Sequence, residues 1–345
     1  MIYFNNDYSE GCHPAVLEKL VNTNMIQTPG YGMDPFCAEA AQKIKSLCGR
    51  DDLSVHFLVG GTQTNLTVIS ASLKPYQAVI SAESGHINVH ETGAIEATGH
   101  KVIAIRSDDG KISGDAISAV VKDHFLSADA EHMAQPKMVY ISHPTELGTL
   151  YSLDELTDIH DACRKNGLLL FLDGARLGYA LTANGSDITL EDLARLCDVF
   201  YIGGTKVGAL FGEAVVISNP ELAVDFRYMI KQRGGMLAKG RLLGVQFCAL
   251  FEDELYFKLG RHANALADRI RSVLDETGHS QFVPTVSNQI FPVLPDDLLD
   301  SLAQDFCFTE MHRVDKSHRC IRICTSWATS EENVELLCNA LRKFS

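Results

Sequence analysis

One lysine, Lys206, stands in a glycine-rich turn between two apolar runs, residues 199–202 and 214–217. Both runs are rich in β-branched and aromatic residues, which is typical of buried strands. Burial disfavours the charged form of an amine, so a lysine at the end of a buried strand tends towards the neutral form that attacks a carbonyl carbon. Two interpretations remain open on this stretch alone: a lysine that forms a Schiff base, or an exposed lysine that caps the turn.

A carboxylate ends another apolar run. Residues 168–172 lead directly into Asp173, and Arg176 follows three residues later. A buried carboxylate is costly unless a cation compensates its charge. That cation is either the protonated nitrogen of a pyridine ring, which would make the ring an electron sink, or Arg176 in an ion pair without a ligand. The arginine can alternatively bind a ligand carboxylate through two hydrogen bonds.

Three further turns carry polar groups directly after apolar runs. Gly60, Gly61 and Thr62 follow a run and open a helix, where free N–H groups and the helix dipole favour a phosphate. The turn matches neither the dinucleotide-binding glycine motif nor the nucleotide-binding loop. His86 and His143 follow two other runs. Each either lies against an aromatic cofactor or acts as an acid or base near neutral pH, or else is a structural hydrogen-bonding group.

The elements that must position these side chains follow an alternating pattern. Short apolar runs are separated by helical or loop segments; they are 55–59, 78–81, 102–105, 138–142, 168–172, 199–202 and 214–217. Seven strands joined mostly by crossovers predict an α/β fold with a largely parallel sheet and helices on both faces. Ligands bind beyond the carboxyl ends of such strands, so we expect the polar turns to meet there.

Two helices carry clear start signals. Asp34 precedes Pro35 as an N-cap residue, and Ser152 with Glu155 forms a capping box.

The composition changes after about residue 240. Helical stretches at 239–257 and 261–276 are followed by strand-like runs at 289–294 and 320–324. We therefore predict an N-terminal arm (1–30), a large domain (31–240) and a smaller α+β C-terminal domain (241–345).

Composition excludes several classes of protein. The chain has 345 residues, 46% of them hydrophobic, and a net charge of -14 without basic clusters, so we predict no nucleic-acid partner. Its apolar runs are shorter than the ~20 residues of a membrane helix, which predicts no membrane contact. Ten cysteines without a Cys-x-x-Cys pair, and no signal segment, predict reduced thiols in a cytoplasmic protein. The 13 histidines show no metal-ligand spacing, so we predict no metal.

The order of cradle, histidine, aspartate and lysine resembles that of the fold-type-I pyridoxal-phosphate enzymes. More narrowly, the chain resembles the L-threonine aldolase group, which is classed with the aromatic amino-acid beta-eliminating lyases. The matching signatures cover nearly the whole chain and are Asn6-Asp7, Tyr31-Gly32-x-Asp34-Pro35, Gly61-Thr62-x-x-Asn65, Ser84-Gly85-His86, Asp173-Gly174-Ala175-Arg176, Thr205-Lys206 and Arg322.

The resemblance implies a cofactor, pyridoxal 5'-phosphate, joined covalently to Lys206. Asp173 would pair with the ring nitrogen and His86 would stack on the ring. The full set of residues implied to bind the cofactor is Gly60, Gly61, Thr62, His86, Asp173, Arg176, Thr205, Lys206 and Lys239. Lys239 would reach the phosphate from a neighbouring subunit. Leu237 stands where the family often has an arginine, and Lys239 and Arg241 would compensate for that difference.

The resemblance also implies the substrate and the reaction. Arg176 and Arg322 would clamp the carboxylate of an amino acid, with Asn6 and Tyr31 beside it. Enzymes of the group cleave threonine or allo-threonine to glycine and an aldehyde, and they share active sites across a homo-oligomer, a dimer or a tetramer. His86 and His143 both remain candidates for the base. The alternatives are a β-eliminating lyase, an aminotransferase, or a scaffold that binds the cofactor without turnover.

Overall fold

A seven-stranded sheet lies at the centre of the computed structural model, which describes residues 1–343. The strands are β1 (Ile2–Tyr3), β2 (Ser54–Leu58), β3 (Gln77–Ala82), β4 (Lys101–Ile105), β5 (Gln135–Ser142), β6 (Leu169–Asp173), β7 (Val199–Gly203), β8 (Glu213–Ile217), β9 (Gln289–Ile290), β10 (Val293–Pro295), β11 (Phe306–Cys307), β12 (Thr309–Arg313) and β13 (His318–Cys324).

Helices cover both faces of this sheet and build most of the C-terminal part. They are α1 (Pro14–Thr23), α2 (Pro35–Leu47), α3 (Gly61–Ser72), α4 (His86–Val89), α5 (Gly114–Leu126), α6 (Leu153–Asn166), α7 (Leu177–Ala180), α8 (Leu190–Leu196), α9 (Pro220–Ala223), α10 (Phe226–Gln232), α11 (Arg241–Leu250), α12 (Leu255–Glu276), α13 (Asp296–Leu302) and α14 (Glu331–Arg342).

The order of strands in the central sheet is β2-β8-β7-β6-β5-β3-β4. Strand β8 runs antiparallel to both of its neighbours, and the other neighbouring pairs are parallel. Each of the seven predicted runs forms one of these strands, so the predicted α/β fold with a mostly parallel sheet is confirmed. The order brings the carboxyl ends of β2, β6 and β7 together at one edge, with the start of β8 between β2 and β7.

Alternating side chains bury both faces of the sheet. On β5, Val139 and Ile141 belong to one apolar core, whereas Met138 and Tyr140 belong to the core on the opposite face. This alternation is the expected consequence of successive side chains that point to opposite sides of a strand.

A third apolar core lies in the C-terminal part and includes the N-terminal arm. Its members come from residues 266–341, together with Phe4. Strand β1 pairs in parallel with β11, and the N–H of Cys324 donates to the carbonyl of Phe4 at 2.7 Å. The arm is therefore anchored on the C-terminal core before it continues towards the central sheet.

Local helix signals agree with the structure at both predicted N-caps. Asp34 accepts a hydrogen bond from the N–H of Cys37 at 2.9 Å, and the side chain of Ser152 accepts one from the N–H of Glu155 at 3.2 Å. These contacts satisfy donors that have no partner inside the first turn of a helix.

The predicted helix break near residue 260 is wrong. The chain breaks earlier, at Asp253 and Glu254, which have positive φ values of 48° and 58°. Gly260 lies inside α12. A Cβ at this position would stand 2.3 Å from the carbonyl oxygen of Gly178 on α7, which is too close for any other residue. Glycine at this position permits the close approach of two helices rather than ending one of them.

The C-terminal strands also differ from the prediction. The run 289–294 forms two short strands, β9 and β10, and β12 and α14 had no sequence prediction.

The predicted domain bounds stay a prediction, which we retain as a proposal, and residues 344 and 345 of the last domain lie outside the described residues. None of the helices within residues 1–343 has both the length and the apolar character that a membrane span needs.

Candidate active site

A cavity of about 190 Å³ opens at the edge where β2, β6 and β7 end. We call it the Lys206 cavity. Its lining includes the turn 60–62, His86, Asp173, Arg176, Thr205 and Lys206, together with Tyr201, Glu146 and Glu213. The polar turns that follow five different strands therefore meet around one space.

Lys206 lies in the loop between the antiparallel strands β7 and β8. Its backbone carbonyl accepts a hydrogen bond from the hydroxyl of Tyr179, which is buried beneath the loop. Burial lowers the pKa of the Lys206 amine and the charge of Arg176 lowers it further, against the opposite influence of Asp7 and Asp173. The lysine faces the cavity instead of solvent, so the interpretation as an exposed turn residue is wrong.

Asp173 is a buried carboxylate held by four hydrogen-bond donors. Its Oδ1 accepts from the hydroxyl of Tyr201 at 2.5 Å and from the N–H of Ala175 at 2.9 Å. Its Oδ2 accepts from the hydroxyl of Tyr140 at 2.5 Å and from the side-chain amide of Asn65 at 3.1 Å.

The pKa of Asp173 reflects these contacts. Burial raises it, but the charge of His86 and the hydrogen bonds from Tyr140 and Tyr201 outweigh burial, so the pKa lies below its usual value. The group is therefore a fixed negative charge at the wall of the cavity. Within residues 1–343 it forms no ion pair with Arg176, and that alternative is wrong.

Arg176 pairs instead with Asp7 of the N-terminal arm. Its Nε lies 2.7 Å from Oδ2 and its Nη2 lies 3.0 Å from Oδ1 of Asp7, a bidentate arrangement. Asn288 also donates to Asp7, at 2.9 Å. Burial raises the pKa of Asp7, but Arg176 outweighs burial and lowers it below the usual value. The remaining nitrogen of Arg176, Nη1, has no acceptor among the residues that the structure describes.

His86 is the first residue of α4, and its ring is fixed by a buried carboxylate. Nδ1 donates to Oε1 of Glu91 at 2.8 Å, and the same oxygen accepts from Asn65 at 2.7 Å. Burial lowers the pKa of His86, but Glu91 and Asp173 outweigh it, so the pKa is raised. Within the described chain, Nε2 of His86 has no partner and is the nitrogen left for a ligand.

His143 occupies a different environment. Its ring is fully buried, lies 6.5 Å from the ring of Tyr151, and has no hydrogen-bond partner for either nitrogen among the described residues. Burial lowers its pKa to about 4, so the ring is neutral at pH 7. It does not belong to the lining of the Lys206 cavity, although its backbone N–H donates to the carbonyl of Asp173 at 2.9 Å.

The turn at the start of α3 has the form of an anion cradle. The backbone N–H groups of Gly61, Thr62 and Gln63 have no acceptor within the described chain, and they point away from the first turn of a 12-residue helix. A Cβ at Gly61 would lie 3.1 Å from the hydroxyl of Tyr201, which holds Asp173. Position 61 therefore has little room for a side chain, whereas a Cβ at Gly60 would meet nothing within 4 Å.

Comparison with known proteins identifies a family. The profile of the beta-eliminating lyases matches residues 7–294. The low-specificity L-threonine aldolase of a Pseudomonas species is 32% identical over 302 residues, which span 87% of this chain and 86% of that enzyme.

The chain belongs to the beta-eliminating lyase family.

Solved structures agree with this assignment. The threonine aldolase of Leishmania major is 46% identical and superposes with a TM-score of 0.97, covering 100% of this chain and 99% of that one. The aspartate aminotransferase of Thermus thermophilus, at 13% identity and a TM-score of 0.71, covers 100% of this chain and 91% of its own, which shows a shared fold alone. This family member is a lyase whose cofactor is pyridoxal 5'-phosphate.

The residues of the Lys206 cavity fit that cofactor. Asp173 supplies a buried negative charge for a ring nitrogen, the turn at 60–62 supplies free N–H donors for a phosphate, and Lys206 supplies an amine of lowered pKa. No group of three or more potential metal ligands occurs within residues 1–343.

Several predicted residues lie outside the lining of the cavity. Asn6 accepts hydrogen bonds within its own turn, from the N–H of Tyr8 at 2.9 Å and the hydroxyl of Ser9 at 3.0 Å. Arg322, on β13, donates to the carbonyl of Asn5 at 3.1 Å, and its buried Nε has no partner among the described residues.

Tyr31 and Lys239 lie together in a separate region. Tyr31 has a φ of 61°, is 47% exposed, and its N–H donates to the carbonyl of Ala238 at 3.2 Å. Lys239 is exposed in a groove that is also lined by Ile26 and by residues 28–30. Arg241 donates to the carbonyls of Ile26 and Thr23, so its guanidinium is engaged within the chain.

Several residues of the site had no sequence prediction, among them Glu91, Tyr140, Glu146, Tyr201 and Glu213. Tyr140 and Tyr201 lie inside apolar runs for which the sequence predicts only strands. Glu146 follows the turn at 143–145, and Glu213 follows the turn that carries Lys206. A signal did exist for Glu213, since a glutamate that opens a fully apolar strand is unusual.

We expect Asp7→Asn to lower the free energy of unfolding by about 3–5 kcal/mol, because Arg176 would keep its charge in a buried site without a partner. The folded pKa of Asp7 is lowered, so its contribution is complete above the unfolded value of about 3.9 and disappears as pH falls through the folded value. Urea unfolding at neutral pH and at progressively lower pH measures both effects. Asp123→Asn, at an exposed position, is the matched control, and equal unfolding of the Asp7 and Asp123 variants would contradict the prediction.

Proposed function

We propose that this lyase cleaves L-threonine and L-allo-threonine, and 3-hydroxy amino acids of this kind, to glycine and an aldehyde. The observation that carries the proposal is its 46% identity, over the whole chain, to a protein described as a threonine aldolase. The Pseudomonas relative, described as a low-specificity L-threonine aldolase, supports the same substrate class. The reaction would place the chain in amino-acid metabolism, in threonine breakdown and glycine formation.

In this proposal, different residues bind the phosphate and the ring of the cofactor. The N–H groups of the turn 60–62 would bind the phosphate, and the carboxylate of Asp173 would keep the ring nitrogen protonated. The bound cofactor supplies an electron sink for the electron pair of the broken Cα–Cβ bond. Lys206, whose amine is shifted towards the neutral form, is the group that binds the cofactor covalently.

The carboxylate of the substrate requires a cation at a fixed place. Arg176 has two of its nitrogens held by Asp7, which leaves Nη1 free in a fixed orientation at the cavity. Arg322 adds a second positive charge on the small-domain side, where its Nε is unpartnered. Together they would hold the carboxylate while the bond to the β-carbon is aligned for cleavage.

The reaction also requires a base that removes the proton of the β-hydroxyl. We assign this role to His86 in preference to His143, because His86 lines the Lys206 cavity and keeps Nε2 free. Glu91 fixes the ring through Nδ1, so that only Nε2 is left to accept a proton. A base needs such a defined position for the accepting atom. The backbone N–H of His86 is held by Glu146 at 2.8 Å, which restricts the position of the ring further.

We also propose a homo-oligomer, a dimer or a tetramer, in which Tyr31 and Lys239 complete the active site of a neighbouring subunit. The segment 24–33 and the region 220–232, which holds α9, α10 and the link between them, expose large apolar side chains, among them Met25 (89%), Met33 (65%), Val224 (71%) and Tyr228 (76%). The two regions are in contact, since Arg227 donates to the carbonyl of Tyr31 at 3.0 Å. Several large exposed apolar side chains in two adjoining regions are typical of a subunit interface.

A cytoplasmic location is the last part of the proposal. All ten cysteines are free thiols, and eight of them are buried, as in proteins kept in a reducing compartment.

Replacement of the lysine tests the proposed function directly. We expect Lys206→Ala to abolish the visible absorption of the purified protein and to lower the rate of acetaldehyde release from L-threonine by about 10³-fold or more, because the covalent holder of the cofactor is lost. Lys258→Ala, at an exposed position of α12, is the control and should retain both properties. Release of ammonia and a keto acid in place of glycine and acetaldehyde would instead favour elimination or transamination.

The assignment of the base predicts a difference between the two histidines. His86→Asn should lower kcat by about 10²–10⁴-fold. In the parent enzyme kcat should rise with pH through the raised pKa of His86, since the neutral ring accepts the proton, and this ascending limb should vanish in the variant. His143→Asn should retain the limb. A pH profile that loses its ascending limb only in the His143 variant would reverse the assignment.

Light scattering tests the proposed oligomer. The parent chain should have the mass of two or four subunits, and Met25→Glu combined with Tyr228→Glu should reduce the mass by at least half, because each charge would be buried without a partner in the interface. Leu126→Glu, on an apolar side chain that is 72% exposed on α5, is the matched control. A parent protein that is monomeric while it turns over substrate would disprove the proposal.

A further inference from the structure

Glu213 occupies a position between the two halves of the cofactor site. It is the first residue of β8 and pairs with Leu58 of β2 on one side and with Gly203 of β7 on the other. Strand β2 leads within three residues to Gly61, and β7 leads within three residues to Lys206. The sheet therefore places one carboxyl group between the phosphate turn and the lysine loop.

The contacts of Glu213 leave one of its oxygens without a partner. The residue is 3% exposed and lines the Lys206 cavity. Its Oε1 accepts from the hydroxyl of Thr205 at 3.0 Å, and that hydroxyl in turn accepts from the N–H of Gly212 at 3.0 Å. Its Oε2 is buried and has no hydrogen-bond partner among residues 1–343. An ionised carboxylate with an unsatisfied buried oxygen is costly, whereas a protonated one carries a donor that a ligand can accept.

The charged and titratable groups around Glu213 come from four elements. Lys206 lies on the lysine loop, Asp173 at the end of β6, and the hydroxyls of Tyr201 and Tyr256 lie on β7 and α12. On the opposite side, Leu58 and the start of α3, with Thr62 and Gln63, carry no titratable group.

The balance of these influences favours the neutral acid. Burial raises the pKa of Glu213 to about 8, and Asp173 raises it as well, while the hydrogen bond from Thr205 and the charge of Lys206 lower it. At pH 7 the group is mostly protonated.

The protonation state of Glu213 affects the binding of a phosphate in the turn at 60–62. A phosphate monoester has a second pKa near 6 and is close to a dianion above pH 7. An ionised Glu213 in the wall of the same cavity would repel that dianion, and low local polarity would strengthen the repulsion. A protonated Glu213 adds no charge.

We propose that Glu213 serves as a neutral acid beside the phosphate turn, and that its ionisation weakens the binding of the phosphate of the cofactor. The inference rests on the proposed function, since it takes the turn at 60–62 to hold that phosphate. It makes Glu213 a positioning residue that decides over which pH range the enzyme retains its cofactor.

The experiment compares two probes on the full-length chain freed of its cofactor. Pyridoxal 5'-phosphate and pyridoxal are titrated by their visible absorption from about pH 7 to 9.5. Pyridoxal lacks only the phosphate, so the ratio of the two dissociation constants isolates the phosphate contribution from the titration of Lys206. For the parent chain, this ratio should move against the phosphate form by up to about tenfold per pH unit above the pKa of Glu213.

Glu213→Gln supplies a neutral side chain of the same shape. At about pH 7 it should retain the affinity for pyridoxal 5'-phosphate within about threefold of the parent, because the parent side chain is also neutral there, and its ratio of constants should be independent of pH. Glu221→Gln removes an exposed carboxylate from α9, shortly after the same strand, and should keep the parent pH dependence.

Three outcomes overturn the inference. They are a large loss of affinity in Glu213→Gln at neutral pH, which would mean that the ionised carboxylate is needed; a pH dependence that persists in Glu213→Gln; and a parent ratio that does not change with pH. The last outcome is measured on the parent alone, so it decides the inference even if the variant does not fold. Absence of any covalent complex with either probe would refute the cofactor role of Lys206 itself, whereas the other outcomes leave that role intact.

Discussion

The buried carboxylate of Asp173 is the constraint on which the rest of the site depends. This negative charge, in a 4% exposed position and without an ion-pair partner among residues 1–343, is stabilised by the charge of His86 and by four donors: two tyrosine hydroxyls, one backbone N–H and one side-chain amide. Hydrogen bonds to charged groups contribute about 1.5–3 kcal/mol each, which is the scale needed to offset the burial of a carboxylate. The fold brings the three side-chain donors, which lie on β5, β7 and α3, to one point.

The same constraint links the aspartate to the histidine. The amide of Asn65 donates both to Asp173 and to Glu91, and Glu91 holds Nδ1 of His86. The ring of His86 and the carboxylate of Asp173 are thus connected through the side-chain amide of Asn65 and the carboxylate of Glu91. On the other side, the pair between Asp7 and Arg176 connects the arm, and through Phe4 the small C-terminal core, to the central sheet. The position of the cation in the cavity consequently depends on how the arm is anchored.

The three carboxyl groups that line the Lys206 cavity, those of Asp173, Glu146 and Glu213, differ in protonation state because their environments differ. Asp173 is held ionised by its donors, whereas burial raises the pKa of Glu146 and of Glu213 above the usual value. Carboxyl groups in one small space cannot all ionise at low cost, so their environments separate their pKa values. Asp173 alone then carries the charge suited to a ring nitrogen, and the protonated acids do not oppose an anionic ligand.

The sequence by itself determined the seven strands, the two N-caps and the residues that follow each strand. These features are local: an apolar run, a capping side chain and a glycine turn each act within a few residues. For that reason Asp173, Lys206, His86 and the turn at 60–62 were predictable, and the fold that the family signatures predicted is confirmed by the structure and its solved relatives. The partners were decided only by the tertiary structure. Arg176 pairs with Asp7, 169 residues away, and not with its neighbour Asp173, and Glu213 enters the site only because β8 inserts between β2 and β7. Likewise the helix break fell at Asp253 rather than Gly260, since close packing against α7 requires a glycine inside the helix. Such choices depend on strand order and on contacts distant in sequence, which no local pattern encodes.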